Sequence, residues 1–262
     1  DLHLSLRRQR QMCIRDRPNK ERVPDVASKP TNPKPEISAH VDRWSDLVRS
    51  RDVDRPWYRY AYTLLPNKEP ERWMDMGCGQ GELLQHANTK GLSGLGLDIT
   101  RHNAESTLRL GFPSLVTDLN HPLPFANDSL GGITLIEVIE HVIQAEFLIR
   151  ELYRVIRPGG WLILTTPNVV HWTYRFRALT GHAPKQEGYH FRFFTKKSLN
   201  NILHDSGFTL QNHASFGKNA LFTHLLRPIK GPKYKFRYLV PQIAESLLAQ
   251  HFVWKLKKPI SN

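Results

Sequence analysis

Between residues 72 and 216, short apolar runs alternate with stretches whose apolar residues recur every three or four positions. That alternation predicts a parallel sheet wound with helices. Strands are expected at RWMDM (72–76), GLGLDI (94–99), SLVTD (114–118), GGITLIE (131–137) and GWLILTTP (160–167). Before the last of these, Ala145 to Arg157 puts Leu148, Leu152, Val155 and Ile156 on one helical face, and Pro158, Gly159 and Gly160 are expected to end that helix in a turn. A second helix opens at Thr195, a hydroxyl cap, buries Leu199, Ile202 and Leu203, and stops at Gly207. FTLQNHASF (208–216) and HFVWKLKK (251–258) read as two further strands. Residues 219–250 form a segment that this pattern does not require.

Upstream, residues 18–38 are Pro, Lys, Asn, Ser and Glu with almost no large apolar side chain, a composition that cannot offset the entropy of ordering and predicts a flexible arm. Trp44, Leu47, Val48, Trp57, Tyr58, Tyr60, Tyr62 and Leu64 then suit one or two short helices ending near Pro66, a cap (39–66) that packs beside a site or covers it. Residues 1–17 have no apolar period. Residues 7–17 back-translate in frame into a transposase-type adapter of short-read sequencing libraries, and residues 1–3 into its flow-cell end. The segment is therefore expected to be adapter rather than gene. The remaining boundaries are a core over 67–218, an insertion over 219–250, and a last strand with its tail over 251–262.

Composition changes this picture little. The chain has 262 residues, 40% of them apolar, enough for one large α/β domain. The most apolar stretch, GGITLIEVIEHVI, carries Glu137 and Glu140 and is too short and too charged to span a bilayer, so a cytoplasmic protein is expected. Two cysteines, 13 and 78, make neither a disulfide framework nor a complete zinc site. The net charge of +13 would invite an anionic partner. Residues 1–17 hold five Arg and two Asp, which leaves +10 without them.

The candidate chemistry starts at MDMGCGQGELL (74–84), with an acid at a strand end, glycines at 77, 79 and 81, and then a helix. Glycines let the backbone turn sharply and approach a ligand without interference from Cβ. A dinucleotide fingerprint would need a third small residue at 82, where this chain has Glu. With acids at 75 and 82, the loop suits an ammonium or hydroxyls better than a pyrophosphate. Asp98 closes the second strand about twenty residues on, where a carboxylate can accept from both hydroxyls of a ribose. Asp118, at the end of the third strand, can reach an adenine amino group while Leu119 packs on the ring. An exposed strand-end acid and a turn cap are the bland alternatives for these two.

These motifs together with IEVIEHV, LYRVIRPGGWLILTTPN and HFRFFTKKSL resemble class I S-adenosylmethionine-dependent methyltransferases, in the branch of ubiquinone-biosynthesis and envelope-sugar O-methyltransferases. The resemblance runs from about Trp57 to Lys258. It implies a Rossmann-like, seven-stranded, mostly parallel sheet with an antiparallel last strand and helices on both faces. It also implies that S-adenosylmethionine is held by Asp75, Gly77, Gly79 and Gly81 (methionine and ribose), Asp98 (ribose), Asp118 and Leu119 (adenine), and Glu137 (beside the sulfonium). Cys78 would be an ordinary loop residue.

For the transfer step the candidates are Glu137, Glu140 and His141, followed by His190. His141 oriented by Glu140 can serve as general base for a hydroxyl acceptor. Glu137, Glu140, His141 and His190 can instead hold Mg or Mn, as a similar E-x-x-E-H with a distal His does in small-RNA 2′-O-methyltransferases. Capping and loop hydrogen bonding is the third reading. In the aromatic, basic segment after the fifth strand, Trp172, Tyr174, Arg175, Arg177, Tyr189, His190 and Arg192 can bind an anionic sugar, a phenolic ring or a phosphate. Lys230, Lys233, Lys235 and Arg237 interleave with Tyr234, Phe236 and Tyr238, which fits membrane contact through 227–238, a nucleic-acid groove or a solvated loop.

The expectation is an O-methyltransferase acting on a small or lipid-linked metabolite. A metal-assisted RNA 2′-O-methyltransferase and a non-catalytic cofactor-binding paralogue are the alternatives. Basic residues concentrate in the arm and insertion while the cofactor loop is acidic, a distribution that argues against a generic nucleic-acid binder.

Overall fold

The computed structural model describes residues 55–67, 72–182, 190–218, 228–230 and 237–260. The adapter-like segment, the arm, the cap before Arg55, Tyr189 and most of 219–236 lie outside the described residues.

In chain order the elements are α1 (Pro56–Thr63), β1 (Trp73–Met76), α2 (Glu82–Asn88), β2 (Gly94–Asp98), α3 (Arg101–Arg109), β3 (Ser114–Val116), β4 (Leu130–Ile136), a 3₁₀ turn (Ile139–His141), α4 (Ala145–Val155) and β5 (Ile156–Pro167). They continue with α5 (Trp172–Leu179), α6 (Lys196–Asp205), β6 (Thr209–Lys218), β7 (Arg237–Leu239), a 3₁₀ turn (Gln242–Ala244), α7 (Glu245–Leu248) and β8 (His251–Lys257).

The strands form one sheet in the order β3-β2-β1-β4-β5-β8-β6-β7. Strands β1 to β5 pair in parallel. β8 inserts antiparallel between β5 and β6. The seven expected strands are all present, and the eighth, β7, is a three-residue edge strand from the 219–250 segment, paired antiparallel to β6. The chain leaves β1 toward β2 and β3, then returns to β4 on the other side of β1. That reversal opens a crevice at the carboxyl ends of β1 and β4, where open α/β sheets bind ligands.

Side-chain alternation sorts the strands onto two cores. Met74, Met76, Phe252, Trp254 and Leu256 face α4 and α6 with Leu148, Ile149, Leu152, Leu199 and Leu203. Trp73, Ile163 and Val253 face α1 and α2 with Trp57, Tyr58, Ala61, Leu83 and Leu84. Because the period is two, Asp75 shares the α1/α2 face with Trp73, and His251 shares it with Val253.

The helix expected over 145–157 ends at Val155, and β5 begins at the next residue. Pro158 to Gly160 therefore form a bulge inside β5 instead of a turn before it. Leu130 pairs with Ile156 but Gly132 with Trp161, and Gly159 takes a φ of +78° that absorbs the extra length. Helix α6 carries the Thr195 cap, reinforced by a reciprocal bond with Ser198, and Gly207 stops it at φ +92°.

Candidate active site

The glycine loop leaves β1 through three left-handed residues, Gly77 (φ +71°), Gly79 (φ +57°) and Gly81 (φ +87°), the last capping α2. A Cβ on Gly77 would lie 2.4 Å from Cγ2 of Val138, so the loop packs directly on the backbone turn that follows β4. Asp75 is fully buried and accepts from the Thr134 hydroxyl at 2.8 Å, which fixes its carboxylate at the crevice. Cys78 is buried beside the Thr107 hydroxyl (3.5 Å), a packing role.

Asp98 ties the loop to β2. Its Oδ2 accepts from Gly79 N–H at 3.0 Å, and its Oδ1 accepts from Thr100 N–H (2.9 Å), Thr100 hydroxyl (3.0 Å) and Asn103 Nδ2 (3.1 Å). Asp118, about a third exposed, accepts from the backbone and side-chain amides of Asn120. Leu119 is buried. Asn120 in turn accepts from Ile143 N–H at 2.9 Å, so the loops after β3 and β4 are held as one wall. Neither Asn103 nor Asn120 was picked out by sequence reasoning. The T-x-x-N spacing from Thr100 was the available signal for Asn103.

The residues after β4 divide into two groups. Glu137 has a φ of +54°, an uncommon conformation for a residue with a side chain. It accepts from the Thr165 hydroxyl (2.8 Å) and pairs with His251 Nδ1 (2.9 Å). Burial alone would raise its carboxyl pKa, but the His251 charge, the Thr165 hydroxyl and the Arg55 guanidinium together hold it below the ordinary carboxylate range. Glu140, 2% exposed, points elsewhere: Thr166 donates to its carboxylate (3.2 Å), and its carbonyl accepts from the N–H groups of Phe191 and Arg192. Those two bonds draw the 190–192 segment across, and the His141 and His190 rings meet edge to face at 4.7 Å.

One ligating atom from each of Glu140, His141 and His190 lies within 4.8 Å of the others. Glu137, expected in the same cation set, is not in this cluster; its carboxylate is committed to Thr165 and His251.

In the segment after β5, Asn168 is buried and pins the start of the loop through Gln250 and Ala249. Trp172 is about half exposed on α5, a helix with no buried residue, and Tyr174 is partly buried. Arg175 donates to the carbonyls of Val170 and Ser246. Arg192 pairs with Glu146. Both guanidiniums therefore shape the loop. Tyr189 lies outside the described residues.

The site suits S-adenosylmethionine on its own chemistry. Carboxylates at the ends of β1 and β2 and beyond β3 match an ammonium, ribose hydroxyls and an adenine amino group. Residues 74–82 contain no Lys or Arg for a phosphate, and the backbone at Gly77 has no room for a side chain.

Comparison with known proteins agrees. A family model described as a methyltransferase domain matches residues 50–213. The chain belongs to that family, and it is a class I S-adenosylmethionine-dependent methyltransferase. It is 26% identical over 160 residues to a ubiquinone biosynthesis O-methyltransferase of Chromobacterium violaceum, covering 56% of this chain and 68% of that one. It is equally similar over 160 residues to the mitochondrial enzyme of that name from Mus musculus, of which the match spans only 43%. The fold superposes on an S-adenosylmethionine-dependent methyltransferase from Mesorhizobium loti with a TM-score of 0.56 at 18% identity, covering 78% of this chain and 98% of that one. Among the described residues, no helix is long and apolar enough to cross a membrane.

Proposed function

We propose that this methyltransferase transfers a methyl group to a hydroxyl of a small or lipid-linked metabolite, with His141 as general base. The observation that carries the reading is the placement of His141 at the carboxyl edge of β4, beside buried Glu140 and under the aromatic acceptor loop. S-adenosylmethionine supplies an electrophilic methyl group on a cationic sulfur. Asp75, Asp98, Asp118 and the glycine loop hold it, and alignment with the acceptor provides much of the acceleration. His141 takes the hydroxyl proton, which would otherwise accumulate as positive charge on the acceptor oxygen. Trp172, Tyr174 and His190 present aromatic surface to an acceptor ring or chain. The similarity to ubiquinone-biosynthesis enzymes favours a phenolic acceptor carried on a lipid tail. Contact of 227–238 with a lipid surface belongs to this reading; within it, residues 228–230 are exposed and include Lys230.

The test separates binding from turnover. His141→Ala should lower kcat by about 10² or more while leaving S-adenosylmethionine affinity within about threefold. Turnover equal to the parent on a methyl-labelled panel of quinone precursors, envelope extracts and RNA removes His141 from the chemistry.

A second reading rests on the 4.8 Å convergence of Glu140, His141 and His190, which suits one Mg or Mn ion. In it the same residues would hold the cation, whose positive charge would ease loss of the proton from an acceptor hydroxyl. Mn(II) bound by the parent but not by His190→Ala, seen by electron paramagnetic resonance, favours this reading. Activity that survives full chelation excludes it. An RNA acceptor would require both the metal and a basic surface continuous with the site.

A further inference from the structure

Helix α1 is fastened to the sheet and to α2 at several points remote from the chemistry. Lys255 donates to the Leu64 carbonyl (2.8 Å), Tyr60 to Asn212 Oδ1 (2.9 Å) and Tyr62 to the His86 carbonyl (2.9 Å). Its amino-terminal end is fastened differently. Trp57, 8% exposed, stacks on the His251 imidazole with ring centroids 3.6 Å apart and planes 8° from parallel. The Arg55 guanidinium lies over the same indole at 5.6 Å.

The stack fixes the imidazole plane and brings its Nδ1 into ion-pair contact with Glu137 Oε2 at 2.9 Å, a charge contact without hydrogen-bond alignment, while Thr165 holds Oε1 at 2.8 Å. Both carboxylate oxygens are thus set from two other strands, at a residue whose own backbone is left-handed. Glu137 precedes Val138, the side chain on which Gly77 of the glycine loop packs. Residues 57, 137, 165 and 251 come from four elements, and nothing in their spacing along the chain links them.

We propose that His251 is the positioning residue for Glu137. Its stack on Trp57 joins the amino-terminal end of α1 to the cofactor end of β4, so that seating α1 and placing this carboxylate are one event. The inference rests on the reading that Glu137 borders the S-adenosylmethionine site. An imidazole without the stacked indole would turn about its χ2 bond and release the carboxylate. A carboxylate without the imidazole would keep the Thr165 hydrogen bond and the Arg55 charge but lose the contact at its second oxygen, and a pre-set group of this kind depends on such supporting contacts.

The test uses isothermal calorimetry with S-adenosylmethionine and amide hydrogen exchange of residues 56–63, both read without turnover. His251→Phe keeps an aromatic face for Trp57 but offers Glu137 no donor, and it should weaken cofactor binding about tenfold. In a Glu137→Gln background the same change should add less than about twofold, because its route of action is already cut. His251→Asn returns a polar N–H group beside the carboxylate without the imidazole charge and should recover part of the affinity lost in His251→Phe. Cofactor binding should slow α1 exchange in the parent and slow it much less in His251→Phe and in Trp57→Leu.

Equal loss in both backgrounds, or parent-like affinity in His251→Phe, overturns the inference while the cofactor reading stands. So does α1 exchange that responds to the cofactor equally in parent and variants. If His251→Phe does not fold, failure of a folded His251→Asn and Trp57→Leu to change the cofactor response of α1 overturns it too. A parent protein that binds no S-adenosylmethionine overturns the cofactor reading, and this inference with it.

Discussion

Replacing Gly77 by alanine tests the geometry of the glycine loop most directly. Two separate costs follow from the structure. The φ of +71° is a left-handed conformation, which costs a residue with a Cβ roughly 1–2 kcal/mol. The new Cβ would also sit 2.4 Å from Val138 Cγ2, well inside the ~3.5–4.0 Å of an unstrained carbon contact, and overpacking of this kind costs about 1–3 kcal/mol. Together they predict a loss of about 2–5 kcal/mol. In a domain of this size each kcal/mol shifts Tm by roughly 2–4 °C, so the thermal midpoint should fall by about 4–20 °C.

Val138→Ala removes both γ-methyls and so abolishes the clash but not the backbone strain. The double variant should therefore be more stable than Gly77→Ala alone, although Val138→Ala by itself destabilises. Thermal unfolding of the four proteins, followed by circular dichroism, reads that coupling, and calorimetry with S-adenosylmethionine reads the loop. Strictly additive midpoint shifts, or a Gly77→Ala protein with parent Tm and affinity, would falsify the close approach of loop and β4 turn.

Asp98→Ala leaves four donors, from Gly79, Thr100 (twice) and Asn103, without their acceptor. It should cost roughly 2–4 kcal/mol in a urea titration and weaken S-adenosylmethionine more than tenfold; unchanged affinity would remove Asp98 from the cofactor site. Glu137 and Glu245 both titrate below their ordinary 4.5 in the folded protein. For Glu245, burial works against this but hydrogen bonds from Lys196 and Ser215 and the His213 charge prevail. A depressed carboxyl contributes stability that is present above its unfolded pKa and is lost as pH falls through the folded one. Thermal midpoints should therefore drop on acidification below about 4.5, and less steeply in Glu137→Gln and Glu245→Gln; parallel pH profiles in parent and variants would contradict these assignments.

The sheet was legible because its strands are locally encoded. Runs such as WMDM, GLGLD and LGGITLI are buried along nearly their whole length, as parallel strands covered on both faces must be, and helical patterns separate them. The glycine loop, Asp75 and Asp98 were legible for the same reason: strand end, turn and helix start are consecutive in sequence. The bulge at Pro158 to Gly160 was misread as a helix stop because turn residues look alike whether the next strand has begun or not. β7 was missed because a three-residue edge strand carries no periodic signal.

Sequence alone determined the fold class, the seven strands, the glycine loop and the strand-end acids around it, since local backbone preference and side-chain periodicity specify all of them. Only the tertiary structure decided how Glu137, Glu140 and His141 divide. Three residues of turn send one carboxylate toward Thr165 and His251 and the other toward Thr166, while the Glu140 carbonyl gathers the 190–192 backbone and brings His190 to His141. His251 lies more than a hundred residues from Glu137, and Trp57 lies eighty residues away on the other side. They meet because β8 enters the sheet antiparallel next to β5, placing its first residue at the carboxyl edge on the face that α1 covers. No pattern along the chain encodes that meeting; strand order and direction do.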